Sequence, residues 1–365
     1  MSKSTKIIIG IIIVIIIGGI WYGATREPKE EGVIKIGFIS ALSGNAGIWG
    51  ESLKKGFEFG LEEINKEGGI NGKKLEIVYE DDACDPTTGV SAFNKVINID
   101  GAKIIIGTVC SSVAMAVAPI TQENRILYMA SGATHPDVPK QGDLIFRAWL
   151  SDAYEAKELA KYAFKQLRLE KIAITYFNDN PAGIALKDNF KETFESNGGK
   201  ITKIEPYTST ERDFRTGLTK VINDNPDGIY MAAIPEQTPL IVNRTREMGY
   251  EGIILLYGPS VLSEGIPEKI NDKSNIYYPS PTTKKEADFW ENYELQKGQE
   301  ADLLIALGYD SLKLIVYGLD RCGEDNDCIR DELLKLKDFQ ITRGTIGYDA
   351  DGDLIGIEFE IKKLE

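Results

Sequence analysis

Short apolar runs of β character alternate with stretches of helical period along almost the whole chain, and this restricts the fold more than any other property. Strand-like runs fall at 34–41, 75–80, 103–107, 126–130, 142–147, 171–176, 200–205, 228–232, 252–257 and 354–361. Helix-period segments fall near 47–66, 87–99, 112–123, 153–167, 184–196, 214–223, 238–248, 285–296, 302–321 and 328–336. Repeated β-α alternation of this kind folds as parallel sheets with helices on both faces. At 365 residues the chain is long for one core. So many strands fit better in two sheets than in one.

Three strand-end segments concentrate polar chemistry: D-D-A-C-D-P at 81–86, I-I-I-G-T-V-C-S-S at 104–112 and M-A-S-G-A-T-H-P at 129–136. Each follows an apolar run and precedes a helical one, so each lies at the carboxyl edge of the sheet, where open α/β sheets bind ligands. Ser111 stands at a helix start and can offer hydroxyl and N–H to an anion. Thr134 can do the same from the next loop, and Gly132 and Ala133 expose backbone. Read from spacing alone, Ser111 equally serves as a simple helix cap and Gly132 as a turn residue.

Together with I-K-I-G-F-I-S-A-L-S-G at 34–44, these segments resemble the leucine/isoleucine/valine-binding proteins of ABC amino-acid importers. The resemblance runs from about Val33 to the C-terminus and is strongest over its first third. It implies two doubly wound α/β lobes joined by a three-strand hinge, with a ligand cleft between them. The first lobe is expected to take 33–150 and 282–342, the second 151–281 and 343–365, with the last hairpin, Gly347–Ile361, in the second. C-S-S and G-A-T match the segments that hold the ligand's α-carboxylate in that family, so Ser111, Ser112, Gly132, Ala133 and Thr134 become expected contacts. Trp49, after the turn S-G-N-A-G-I, matches an aromatic pocket wall, and Phe177 joins the expected set.

The second lobe departs from the family pattern. A buried ammonium needs an anionic partner, and the family's glutamate after G-P falls here at Ser260 in Y-G-P-S. The family's pocket tyrosine falls near Ala182, and its aromatic pair before P-E is replaced by Ala233 and Ile234. Glu236, or an aspartate such as Asp179, is the expected substitute for the missing charge.

The first residues follow other rules. After Lys3 and Lys6 come eighteen uncharged positions, 7–24, ending near Trp21 and Tyr22. That is long enough to span a bilayer, and no A-x-A cleavage site follows it. The expected arrangement is a cytoplasmic tail at 1–6, a single transmembrane helix at 7–24, a polar tether at 25–32 and a ligand-binding domain outside the cell. A cleaved signal peptide is the competing reading.

The four cysteines all follow this span. Cys84 and Cys110 sit in successive strand-end loops that should be neighbours, and the family resemblance implies a bond between them. Cys322 and Cys328 enclose the small loop G-E-D-N-D and form the second expected pair; reduced thiols are the alternative. A zinc site finds only one histidine, His135, and unsuitable spacings.

Forty-two basic against 56 acidic residues give a net charge of −14, which argues against nucleic acid as a partner. No nucleophile–base pair, dinucleotide loop or metalloprotease motif occurs. G-G-I-N-G-K-K at 68–74 has Glu67 where a phosphate loop needs Gly. D-A-D-G-D at 349–353 has Leu354 where a calcium loop needs Gly, and a hairpin turn explains its acids better. No cofactor or metal is expected. The sequence thus describes a non-enzymatic solute-binding protein that captures a small amino acid, branched-chain aliphatic first. It would deliver this ligand to an ABC permease with its ATPase subunits. A sensory ectodomain and a binder of some other carboxylate or amide are the alternatives.

Overall fold

A computed structural model of the protein describes residues 32–263, 265–282 and 287–365. The expected tail, membrane span and tether lie outside these residues. Among the described residues no helix is long and apolar enough to cross a membrane.

The first sheet contains β1 (Val33–Ser40), β2 (Lys74–Asp81), β3 (Ile104–Gly107), β4 (Leu127–Ala130) and β5 (Ile145–Arg147), all parallel in the order β2-β1-β3-β4-β5. Its central strands are apolar on both faces. Ile36, Phe38, Ile104, Ile105, Ile106 and Leu127 are fully buried, as expected where helices cover the sheet on both sides. The covering helices are α1 (Gly47–Lys66), α2 (Pro86–Asn98) and α3 (Ser111–Glu123). The connections from β1 and β3 leave in opposite directions, and this reversal opens a crevice at their carboxyl ends.

The second sheet repeats the winding. It is preceded by α4 (Asp152–Lys165) and built from β6 (Lys171–Phe177), β7 (Lys200–Tyr207), β8 (Gly228–Ala232), β9 (Ile253–Leu256) and β10 (Ile276–Pro281). Between these strands run α5 (Pro181–Ser196), α6 (Arg215–Asn223), α7 (Thr238–Glu247) and the short α8 (Gly258–Leu262). The parallel order is β7-β6-β8-β9-β10, and β14 (Phe359–Lys363) adds an antiparallel edge on β10.

After β10 the chain returns to the first sheet through α9 (Ala287–Lys297), α10 (Leu303–Cys322) and α11 (Asn326–Leu334). Helix α10 lies against α1 along a glycine seam. A Cβ on Gly56 would stand 1.7 Å from the Ile305 carbonyl oxygen, and one on Gly308 would stand 1.9 Å from that of Leu53. Only glycine lets the two backbones approach this closely.

The C-terminal segment differs from expectation. Strands β11 (Phe339–Ile341), β12 (Gly344–Tyr348) and β13 (Leu354–Ile355) form a small antiparallel sheet of their own. It packs on the first lobe: Tyr348 meets Phe146 edge-on at 5.1 Å, and Arg147 Nε donates to Asp353 Oδ1 at 2.9 Å. Arg343 is buried against Asp310 of α10 at 2.9 Å, and Asp310 also takes the Thr342 N–H. The hairpin expected in the second lobe is therefore held by the first, because its buried aromatic and its ion pairs find their partners there. Only β14 crosses over. The acids of 349–353 serve this turn: Asp349 Oδ1 accepts the Asp351 and Asp353 N–H groups.

Both expected disulfides are present, Cys84–Cys110 and Cys322–Cys328.

Candidate functional site

The carboxyl ends of the two sheets face each other across a cleft of about 360 Å³, within the range usual for small-molecule sites. On the first-lobe side the loop after β2 turns sharply, with Ala83 and Cys84 both in left-handed conformation (φ 48° and 58°). Such φ values are unfavourable for residues with a Cβ, and aspartates hold them here. Asp81 Oδ1 accepts the Leu42 and Ala83 N–H groups, and Asp82 Oδ1 accepts that of Cys84, each at 2.8 Å. The turn presents Cys84 to Cys110, Cα to Cα 5.5 Å, and this disulfide forms part of the cleft wall.

Cys110 precedes α3 without giving it a side-chain cap, and Ser111 and Ser112 of the first turn line the cleft. The Ser111 hydroxyl oxygen accepts the His135 N–H at 3.1 Å, so its own hydrogen remains to donate into the cleft. Thr134 is engaged in the opposite sense. Its hydroxyl donates to Asp152 Oδ2 at 2.6 Å, which leaves oxygen lone pairs as what it offers. The two neighbouring hydroxyls thus differ: Ser111 is a donor backed by a helix N-terminus, and Thr134 is an acceptor backed by a carboxylate.

Asp152 begins α4 and is almost wholly buried. Burial pushes its carboxyl up to about 7, while Thr134, Arg147 and the Tyr257 hydroxyl draw it down. One turn further, Glu155 accepts the Gly258 N–H at 2.7 Å and is raised well above the carboxylate range by burial and by Asp152. The loop carrying Thr134 is held from behind by Arg147, whose Nη1 donates to the carbonyls of Ala133 (3.4 Å) and His135 (2.9 Å).

The remaining walls are largely apolar: Trp49, Val109 and Trp149, with Leu304 and Leu307 from α10 and Phe177, Ile234 and Tyr257 from the second lobe. Trp49 Nε1 reaches across to Ser263 Oγ at 3.0 Å. Of the residues expected at the site, Trp49, Ser111, Ser112, Gly132, Thr134 and Phe177 meet around the cleft. Ala133 is fully buried beside it.

Ser260 and Glu236 are placed otherwise. Ser260 is fully buried and donates to the Tyr257 carbonyl at 2.7 Å. Glu236 stands outside the cleft lining, with its carboxylate at the Ile48 N–H in the first turn of α1. Asp179 lines the cleft, but it is exposed and its Oδ2 takes the Ser209 N–H and hydroxyl at 2.8 and 2.7 Å.

Comparison with known proteins bears on this geometry. The family model described as periplasmic binding protein matches residues 33–355. The chain belongs to the periplasmic binding protein family. As a member it is an extracytoplasmic solute-binding protein and not an enzyme. It is similar to the Leu/Ile/Val-binding protein BraC3 of Rhizobium johnstonii, 29% identical with 93% of each chain covered. Among solved structures it resembles the leucine-binding protein LivK of Thermotoga maritima (TM-score 0.83, 24% identity, covering 90% of this chain and 98% of that one). It also resembles a solute-binding protein of an ABC transporter from R. palustris in complex with benzoate (TM-score 0.83, 19% identity, 92% and 94% covered).

Tyr257, which lines the cleft of this periplasmic binding protein, and Asp152, buried behind Thr134, escaped the sequence reading. Asp152 follows Ser151, its helix cap, and reads as an ordinary first-turn acid favoured by the helix dipole. Tyr257 stands three residues before Ser260, in the Y-G-P turn that draws attention to the later position. The signal for both was their neighbourhood to segments already suspected, but their burial behind Thr134 is a tertiary fact.

Proposed function

We propose that this protein captures a zwitterionic amino acid with a compact aliphatic side chain and delivers it to an ABC permease and its ATPase subunits. The observation that carries the reading is the opposed polarity of the two hydroxyls. Ser111 has a hydrogen left to give and the start of α3 behind it, which suits an α-carboxylate. Thr134 has lone pairs left and Asp152 behind it, which suits an α-ammonium. Trp49, Trp149, Phe177, Ile234 and Leu304 supply the apolar surroundings for the side chain. The relatives' names, Leu/Ile/Val-binding among them, point to the same ligands. In this reading Ser111, Ser112, Gly132, Thr134, Trp49 and Phe177 contact the ligand, while Ala133 shapes the loop. The tail at 1–6 and the span at 7–24 anchor the domain at the outer face of the cell membrane.

A second reading, a small aromatic carboxylate, is favoured by the four aromatic residues of the lining and by the benzoate held in a protein of the same fold. Calorimetry of the full-length protein against leucine, isoleucine, valine, 4-methyl-2-oxopentanoate and benzoate separates the two. The expected result is leucine, isoleucine or valine binding tightest. Benzoate or the keto acid binding as well as leucine would reject the amino-acid reading.

A further inference from the structure

Resting on the amino-acid reading, we propose that Asp152, standing behind Thr134 and Tyr257 at the start of α4, supplies the negative charge for the ligand's ammonium group. No glutamate stands at Ser260, whose hydroxyl is turned to the Tyr257 carbonyl. Glu236 faces the first turn of α1 outside the cleft lining. The two carboxylates on the cleft rim are otherwise engaged: Asp179 holds Ser209, and Asp85 caps α2 through the Thr88 N–H at 2.8 Å. Both are exposed, so water screens them.

Asp152 differs from them in three respects. It is only 1% exposed, so its field acts at low effective dielectric. Its Oδ1 accepts no hydrogen bond from the described residues. Its Oδ2 is joined to Thr134, and the Tyr257 hydroxyl lies beside the same carboxylate; both of these residues line the cleft. The ammonium would then rest on the hydroxyl oxygens, and the buried carboxylate would hold them in their accepting orientation while providing the charge.

Around Asp152 the charged and titratable groups are Glu155 on its own helix, Arg147 of β5, Tyr257 after β9 and Tyr230 of β8. Arg147 is committed to Asp353 and to the carbonyls of Ala133 and His135. Glu155 is itself raised well above the carboxylate range by burial and by Asp152. The sign of the pH effect follows. In the empty protein burial holds Asp152 near 7, so it is part-protonated around neutrality. A cation beside it favours the ionised form, so binding expels a proton. A protonated Asp152 would instead donate to Thr134 and turn the Thr134 hydrogen into the cleft, where it opposes an ammonium.

The test is calorimetry of leucine binding to the full-length protein near pH 7, in two buffers of different ionisation enthalpy. Leucine is expected to release a fraction of a proton, whereas 4-methyl-2-oxopentanoate releases none. Asp152→Asn should abolish the release and weaken leucine roughly tenfold or more, with little loss for the keto acid. The wild-type proton count needs no variant, so a poorly folding Asp152→Asn leaves the test intact. Leucine binding without proton release, an Asp152→Asn protein that binds leucine as well as wild type, or a larger loss in Asp179→Asn would each overturn the assignment and leave the amino-acid function standing. Tight benzoate binding with no leucine binding would overturn the function itself, and the assignment with it.

Discussion

Ser111 and Thr134 each bring one hydroxyl to the cleft, and what separates them is the neighbour each has already engaged. Ser111 accepts from His135 N and is left a donor; Thr134 donates to Asp152 and is left an acceptor. Removing the donor should therefore harm carboxylate binding without harming the fold. Ser111→Ala is expected to weaken leucine by roughly 1.5–3 kcal/mol, the usual worth of a hydrogen bond to a charged group. The melting temperature of the empty protein should stay within about 2 °C of wild type, since only the His135 amide loses a partner. Titration calorimetry and differential scanning calorimetry on the same preparation give both values. Unchanged leucine affinity would move the carboxylate away from α3.

Among the elements, the β2–α2 turn depends most on a covalent link. Its left-handed Ala83 and Cys84 are held by aspartate hydrogen bonds and by the bridge to Cys110, which closes a loop of 26 residues. Replacing both cysteines by serine should cost about 3 kcal/mol in the chain-entropy model. The cleft should suffer more than stability alone predicts, because the bridge is part of its wall. Chemical denaturation and leucine titration of the double variant test the two effects separately. Elements like this one were legible in the sequence, since a strand-end loop announces itself by the apolar run before it and the helix after it. Ser111 and Thr134 stand in such loops, and the family resemblance singled them out together with Trp49; all three line the cleft. The small sheet of β11, β12 and β13 was not: the turn between β11 and β12 carries Arg343, whose burial depends on Asp310, 33 residues away, and on the Ala148 carbonyl. The run at 354–361 read as one strand but breaks at Gly356, whose left-handed φ of 106° turns the chain towards the other lobe. Asp152 was hidden too, because a helix-start acid looks alike in sequence whether it is exposed to water or buried.

At the scale of the whole molecule, the lobes are drawn together across the cleft by polar contacts. Trp49 Nε1 donates to Ser263, Arg212 Nη2 donates to Asn45 Oδ1 at 2.7 Å, and Glu236 stands at the Ile48 amide. A contact that spans the two lobes would be lost if they opened, so each is expected to bias an open–closed equilibrium and hence the apparent affinity. Trp49→Phe keeps the apolar wall and loses one such bond. About 1 kcal/mol, or roughly a fivefold loss of leucine affinity, is expected from weakened closure. Small-angle scattering of the empty variant should show a larger radius of gyration than wild type; an unchanged radius would remove Trp49 from the closure equilibrium.

The glycine seam between α1 and α10 has a consequence for how ligands are sized. Trp49 stands on one of these helices and Leu304 and Leu307 on the other, and all three line the cleft. Because Gly56 and Gly308 bring backbone against backbone, this pair of helices has little room to shift where the two cross. In the proposed reading the first lobe would work as a fixed gauge. A side chain one methylene too long would then be met by less complete closure of the lobes and not by the wall. Discrimination between near-identical ligands would then be written in the angle at which the complex arrives at its permease, and two amino acids of equal affinity could be carried at different rates.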